Sequence, residues 1–310
     1  MVTATMVFAF ILLGQVLICS GGSAFFNDLA LSLVGRTRGG AAKIAVVSSF
    51  LFGSVSGSAV ANVAASGSVT LPLMKRAGYK PHMAAAIEAL ASTGGQLAPP
   101  IMGAAAFLMA EFLQISFAKV VLAAVIPSAL YYCAIFFYVD AHAASNDMSL
   151  PNDVEIRPLR SVLAEGWQFI VPFVILIYGL FWLNWQPELA ALTAAAALAV
   201  LALILPYRGK RTGILALARS FPDAGFGMIE IVMISAAAGI VIGVLNISGL
   251  SFALTLQLVS MAEDSLILLL LTSALVSVVL GMGMPTVGVY VLLASLIGPA
   301  LVKAGIDPIA

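Results

Sequence analysis

A ten-residue pattern recurs in this chain at an offset of 227 residues. Pro72, Ala77, Gly78 and Pro81 sit in Pro-Leu-Met-Lys-Arg-Ala-Gly-Tyr-Lys-Pro, and Pro299, Ala304, Gly305 and Pro308 sit in Pro-Ala-Leu-Val-Lys-Ala-Gly-Ile-Asp-Pro. Each copy follows an apolar stretch interrupted by small residues, Gly53-Ser-Val-Ser-Gly-Ser58 in the first and Gly281-Met-Gly-Met-Pro285 in the second. A chain with such a pattern is constrained to build two halves on one plan. Interrupted hydrophobic segments at corresponding places in two halves are the sequence mark of a secondary-transporter binding site.

The rest of the composition fixes the solvent. The chain is 62% hydrophobic and only 9% charged, with mean hydropathy +1.11. So few charges cannot cover the surface of a water-soluble protein of 310 residues. The reading is an all-α polytopic membrane protein whose partner is the lipid bilayer, with no nucleic acid. Cys19 and Cys133 lie in apolar stretches and read as buried thiols rather than a disulfide. The first basic residue is Arg36, so the N-terminus does not read as a signal peptide. His82 and His142 read as loop residues. With no His-Glu-x-x-His motif and no Ser/His/Asp arrangement, the sequence argues against a membrane-embedded enzyme, and no cofactor is expected.

A spanning helix needs about 20 mostly apolar residues. Full spans are expected near 2–20, 84–110, 117–139, 167–183, 188–206 and 225–247. Residues 24–35 and 249–262 are shorter and amphipathic, and are expected at the interface. Regions 41–73 and 264–302 are too long for one helix and too interrupted for two good spans. They read as re-entrant hairpins, against the alternatives of a kinked span or two spans close-packed through small residues. Charge favours the hairpins. With 41–73 re-entrant, 12 of the 14 Lys and Arg residues fall on one face, which the positive-inside rule makes cytoplasmic; Lys119 and Lys303 fall opposite. Five spans then separate the hairpins, so the repeats are inverted. The expected organisation is a first repeat over 1–139, a cytoplasmic linker over 140–166, and a second repeat over 167–310. Trp167, Trp182 and Trp185 read as interfacial anchors.

Three clusters carry candidate chemistry. The first is the hairpin tip with Ser54, Ser56, Ser58 and Asn62, rich in oxygen ligands and without formal charge. That suits a hard cation such as sodium. The second is Ser92-Thr93-Gly94-Gly95-Gln-Leu-Ala-Pro99-Pro100 within 84–110, where two prolines and two glycines predict a broken helix with free carbonyls. The third is the second tip, with Gly281, Gly283, Met284, Pro285 and Thr286, where an ion would rely on backbone carbonyls. Packing through small residues, or a simple proline kink, is the competing reading of each. The sodium candidates are Ser56, Ser58, Asn62, Thr93 and Gly94. Glu88 and Glu230 are expected near the cytoplasmic edge, as solvated or paired acids.

Gly-Ser-Val-Ser-Gly-Ser-Ala-Val-Ala-Asn-Val, then Pro-Leu-Met-Lys-Arg-Ala-Gly-Tyr, then Ser-Thr-Gly-Gly-Gln-Leu-Ala-Pro-Pro-Ile-Met-Gly-Ala-Ala-Ala-Phe closely resemble the large permease subunit of TRAP transporters. The likeness is greatest to the fused-permease branch that works with TAXI-type binding proteins. The resemblance implies an elevator-type fold with two re-entrant hairpins and broken helices. It implies a bacterial inner-membrane importer of organic acids, driven by sodium and fed by a periplasmic TAXI-type binding protein, with a small permease subunit or its fused equivalent. It assigns substrate and sodium to Ser56, Ser58 and Asn62, to Thr93, Gly94, Gly95 and Pro99, and to Gly281, Gly283, Pro285 and Thr286. Such permeases carry a second Pro-Pro broken helix after the second hairpin, which the offset would place past Ala310. The expectation is therefore a fragment or truncated product, lacking early scaffold helices and with an incomplete second sodium site. The alternatives are another elevator-type transporter without a binding protein, or a truncated interaction partner that does not transport.

Overall fold

The computed structural model describes residues 2–146, 148–151, 153–249 and 266–309. Regular structure among them is helical, apart from one isolated bridge between Tyr207 and Lys210. In chain order the helices are α1 (Val2–Cys19), α2 (Gly22–Val34), α3 (Gly40–Ser56), α4 (Ala59–Arg76), α5 (Pro81–Gly94), α6 (Ala104–Phe112) and α7 (Phe117–Asn146). They continue as α8 (Leu159–Gly166), α9 (Val171–Phe181), α10 (Pro187–Ile204), α11 (Ile214–Ile247), α12 (Leu266–Gly281), α13 (Thr286–Leu296) and α14 (Gly298–Lys303). The chain is a polytopic membrane protein. Among the described residues, Phe117–Asn146, Pro187–Ile204 and Ile214–Val241 are each long and apolar enough to cross a bilayer. Two bent pairs raise the number of crossings to as many as five: Thr5–Cys19 with Gly22–Val34 at 71°, and Leu159–Phe169 with Val171–Phe181 at 56°.

Several boundaries differ from the hydropathy reading. α7 runs on to Asn146 and α11 starts at Ile214, because a helix continues past its apolar part while hydropathy marks only that part. The 140–166 segment accordingly contains the end of α7 and all of α8. Asp147, the interfacial segment expected at 249–262 and the start of the second hairpin fall on residues outside the described ones.

The chain divides into two compact units. The first comprises Met1–Gly103 and Phe117–Phe226. In it α3 and α4 form a helical hairpin, and α5 packs on both. The turn is sharp because Gly57 takes a left-handed conformation (φ 61°), which ends α3 and is costly for residues with a Cβ. Ser58 then caps α4, its hydroxyl accepting the Ala61 N–H at 3.3 Å. The core beneath is lined by small residues, Ala41, Ala42 and Ala45 on α3 and Ala84 and Ala91 on α5, which let the helix backbones approach.

Both ends of the hairpin lie at the same end of this unit. Arg38, just before α3, pairs with Asp140 near the end of α7, and Lys43 in the first turn of α3 reaches the same carboxylate at 2.6 Å. Arg76, the last residue of α4, pairs with Asp153. A second ionic node joins α2 to the chain around it. Asp28 is 4% exposed and accepts from Tyr207 at 2.7 Å and from Arg208, with Arg157 at 3.7 Å. Of the basic residues that charge counting gathers on one face, Arg38 and Lys43 are thus tied to Asp140, Arg157 and Arg208 to Asp28, and Arg76 to Asp153.

The second unit comprises Ala104–Ser116 and Gly227–Ala310. α13 packs against α6, α12 and α14, and Phe112 stacks on Tyr290 with ring centroids 6.3 Å apart.

The repeat has a structural meaning within each unit. Ala77 and Ala304 have matching backbone angles (φ −79° and −75°, ψ 4° in both), and Gly78 and Gly305 are both left-handed (φ 96° and 89°). The N–H of Tyr79 returns to Met74, and that of Ile306 returns to Leu301. Each copy is therefore the same helix C-cap, in which a left-handed glycine lets the chain satisfy the last carbonyls. Helix starts correspond as well: α4 begins at Ala59 behind Ser58, and α13 begins at Thr286 behind Pro285, at the same offset. The copies differ at the proline. Pro72 lies inside the continuous α4, whereas Pro299 opens the separate helix α14.

Lys43 is 5% exposed, lies 4.8 Å from the Phe136 ring centroid, and depends on Asp140 for its counter-charge. Asp140 lies past the apolar part of α7, and its hydrogen bonds from Arg38 and Lys43 hold its carboxyl at about 2, below the usual range. Since the folded value is depressed, this contribution to stability is present above about pH 4 and is lost as pH falls toward 2. Asp140→Asn should lower the thermal midpoint of the purified protein and flatten its acid dependence. Lys43→Met in the same chain should restore part of the midpoint, because it removes the stranded charge. An unchanged midpoint in Asp140→Asn would show that the pair does not hold the hairpin base.

Candidate functional site

The hairpin and the break after α5 interlock in the first unit. A Cβ built on Gly53 would lie 2.5 Å from the Cα of Gly95, and one on Gly95 would lie 2.6 Å from the Cα of Gly53. The two backbones touch, so neither position has room for a side chain. The chain from Gly95 to Gly103 then folds over the hairpin turn. The Ile101 N–H donates to the Ser54 carbonyl at 3.1 Å, and a Cβ on Gly57 would lie 2.3 Å from the Met102 carbonyl oxygen. One backbone hydrogen bond thus crosses between the two interrupted segments, satisfying an N–H that hydrocarbon could not.

Asn62 bridges the contact. It is fully buried, and its amide nitrogen donates to the Ser49 carbonyl at 2.8 Å and lies 3.4 Å from that of Ser92. One side chain on α4 therefore binds α3 and α5 together. Below it runs a polar stripe. Asn62, Ser66 and Thr70 lie four residues apart on one face of α4, facing Glu88 and Ser92 of α5 and Ser49 of α3. Ser66 Oγ is 2.5 Å from Glu88 Oε1, Thr70 Oγ1 is 2.5 Å from Oε2, and Ser92 Oγ is 3.4 Å from Oε1. Ser49 Oγ is 3.1 Å from Ser66 Oγ. On α7, the Tyr132 hydroxyl donates to the Ala91 carbonyl at 2.9 Å, one of the last four carbonyls of α5.

Of the residues singled out from sequence, Ser54, Asn62, Ser92, Gly95 and Pro99 lie in or beside this interlock. Ser56 Oγ is shielded and has no hydrogen-bond partner among the described residues. Ser58 is engaged as the cap of α4. Gly94 faces Tyr131 instead, whose ring would be 2.3 Å from an added Cβ. The Thr93 hydroxyl is exposed and bonded to the Ala89 carbonyl at 2.8 Å, so it is not directed into the cluster. In the second unit Gly281 and Gly283 lie in and just after the end of α12. Pro285 caps α13, which Thr286 opens, and a Cβ on either glycine would meet nothing within 4 Å.

Glu88 corrects an expectation. It is 1% exposed, inside the helix cluster rather than solvated at an edge, and no Lys or Arg among the described residues pairs with it. The missed signal was the four-residue spacing of Asn62, Ser66 and Thr70 together with Glu88 and Ser92. The side chain of Glu230 lies outside the described residues.

The model of the family described as "Tripartite ATP-independent periplasmic transporter, DctM component" matches residues 1–310. This chain belongs to that family. It is 30% identical, over 97% of its length and 69% of the relative's, to a putative TRAP transporter large permease protein of Haemophilus influenzae. It is 28% identical, over the same shares, to the C4-dicarboxylate TRAP transporter large permease protein DctM of Pseudomonas aeruginosa. To the isethionate TRAP transporter permease protein DctMQ of Oleidesulfovibrio alaskensis it is 27% identical over 97% of its own length and 46% of the relative's. Among DctM-family proteins, which are permeases and not enzymes, this chain thus spans from about half to about two thirds of these relatives.

The interlock gives a test by substitution. Gly95→Ala keeps an allowed helical backbone but drives a methyl into Gly53, and should cost about 1–3 kcal/mol or more. Gly67→Ala, where the nearest atom lies 3.4 Å away on flexible side chains, should be neutral or stabilising by up to about 1 kcal/mol. Equal thermal midpoints for the two variants in detergent would contradict the close backbone approach.

Proposed function

We propose that this DctM-family chain is the permease component of a binding-protein-dependent, sodium-coupled importer of organic acids. It would work in the bacterial inner membrane by an elevator motion, with the α3–α4 hairpin re-entrant from the cytoplasm. The observation that carries the reading is the pair of interrupted segments locked tip to break, with oxygen ligands and no formal charge at the contact. Ser56 Oγ supports sodium there. It is a shielded oxygen with no partner of its own, and a hard cation takes oxygen ligands. The carbonyls around Ser54, Ser92 and Thr93 and the amide oxygen of Asn62 would complete the set. The charge shared by isethionate and C4-dicarboxylates, named for two relatives, favours a small organic anion as solute. A periplasmic binding protein, of the TAXI type by sequence likeness, would deliver it, and a small permease subunit or fused equivalent would complete the assembly.

The test is uptake of radiolabelled organic acids into proteoliposomes holding the permease, its small subunit and its binding protein, with and without an inward sodium gradient. Uptake requiring both sodium and the binding protein is the expected result. Uptake without the binding protein would place the chain among other elevator-type transporters. No uptake, with co-purification alongside another permease, would favour an interaction role. Ser56→Ala removes an oxygen that makes no internal hydrogen bond, so it should leave stability nearly unchanged. It should raise the sodium needed for half-maximal uptake by about tenfold, the equivalent of about 1.4 kcal/mol. Asn62→Ala should also weaken sodium dependence, but with a loss of stability, because Asn62 joins three helices.

A further inference from the structure

Three stretches far apart in sequence meet around Asp28. The Tyr207 hydroxyl donates to its carboxylate at 2.7 Å and the Arg208 Nε at 2.8 Å, and Arg157 stands 3.7 Å away. Ser32, one turn further along α2, donates to the Arg157 carbonyl at 2.8 Å, and a Cβ on Gly35 would lie 3.3 Å from the Ile156 side chain. The end of α2, the segment leading into α8 and the turn between α10 and α11 therefore form one surface of the first unit.

That surface carries an excess of cations. The three stretches and α8 bring Arg36, Arg157, Arg160, Arg208, Lys210 and Arg211, against Asp28, Glu155 and Glu165. Asp28 is taken by Arg208 and Arg157, and Glu165 by Arg157 at 2.5 Å. Arg36, Arg160, Lys210 and Arg211 are exposed, and none of them pairs with a carboxylate among the described residues.

The turn holds its cations in place. Tyr207 and Lys210 exchange backbone hydrogen bonds of 3.0 Å in both directions, with Arg208 and Gly209 left-handed between them (φ 49° and 72°). This is a two-residue turn with positive φ at both central positions, a fixed and compact geometry. The Tyr207 ring packs edge-on against Phe25 and Phe169, and Arg208 is held by Asp28. The turn is thus pinned at its base, while Lys210 and Arg211 stay exposed.

The neighbouring helices set its depth. Pro187–Ile204 and Ile214–Val241 are each long and apolar enough to cross a bilayer, and the turn is the short connection between them. Lys210 and Arg211 accordingly sit where the chain leaves hydrocarbon. Exposed apolar side chains border the cations: Leu33 near Arg36, Leu159 beside Arg160, and Ile204 and Ile214 on either side of the turn. α8 packs on α2 through Val162 and Gly166, and leaves Arg160 and Trp167 exposed. Cations next to apolar side chains and an aromatic ring match a phosphate headgroup above its acyl chains. An acidic protein would need the cations alone; the apolar border is what selects a lipid.

We propose that this surface binds the headgroup of an anionic phospholipid, with Arg36, Arg160, Lys210 and Arg211 on the phosphate and the bordering apolar side chains against the acyl chains. Arginine suits this role because its planar fork of donors fits phosphate oxygens. A headgroup held there ties α2, α8 and the α10–α11 turn to one level of the bilayer. The site needs no solute and does not rest on the transporter reading.

The test is titration of the purified chain, in neutral detergent, with phosphatidylglycerol or with phosphatidylcholine of the same acyl chains, with bound lipid read by native mass spectrometry. Phosphatidylglycerol should bind more tightly than phosphatidylcholine. Arg160→Gln, Lys210→Gln and Arg211→Gln together should weaken phosphatidylglycerol by about a hundredfold, about fivefold for each cation removed, and leave phosphatidylcholine unchanged. Arg211→Gln alone, expected at about fivefold, serves if the triple variant does not fold. Lys75→Gln with Lys80→Gln, which removes two exposed cations at the hairpin base, should bind both lipids as the wild type does. Equal affinity for the two lipids, unchanged phosphatidylglycerol binding in the triple variant, or an equal loss in the hairpin-base variant would each overturn the proposal. So would displacement of phosphatidylglycerol by inorganic phosphate, which would make the surface a site for a soluble anion.

Discussion

The contact between Gly53 and Gly95, with Asn62 across it, is the constraint on which the first unit depends. Helices in a membrane gain no hydrophobic attraction from each other, so their association rests on close packing and on hydrogen bonds. Here both act at one point. Two residues without side chains let the backbones meet, and one buried amide joins the Ser49 and Ser92 carbonyls. The break after α5 would leave carbonyls and N–H groups exposed to hydrocarbon. Most of these close within the break itself, and the hairpin takes up the Ile101 N–H through the Ser54 carbonyl and the Ser92 carbonyl through Asn62.

The small residues that allow this contact also explain why much of the fold was legible. Gly57, the Gly94-Gly95 pair and the Pro99-Pro100 pair are poor helix formers, and helices stop where they occur. The repeated Ala-Gly was readable as a recurrence. That it is a helix C-cap became apparent only from backbone angles, since the same residues could end a helix or lie in a loop. Helix ends were less legible. Asp140 and His142 extend α7 beyond its apolar part, and no change in propensity marks where the bilayer would end.

The interlock was half legible for a similar reason. Ser, Thr and Gly clustered at interruptions stand out in the sequence, and several of them, Ser54, Ser92 and Gly95, meet at the interlock. They also led to Thr93, whose hydroxyl is bonded within its own helix, because adjacency in sequence does not set direction on a helix. Glu88 sits one turn from Ser92 on the same face, and the distance along the chain from Asn62 concealed that α4 and α5 present one shared stripe. A pairing between helices has no signature in either helix alone.

Asn62 has a mechanical consequence. A hinge between α3, α4 and α5 would need at least one pair of them to slide, and any such slide pulls the amide from a carbonyl that water cannot reach. A buried polar group left without its partner costs about 1–3 kcal/mol. The Gly53–Gly95 contact adds a steric stop in the opposite sense. The three helices are therefore stiff toward one another, and a displacement of this part of the protein is carried as translation or rotation of the block, with bending confined to the segments leading into and out of it.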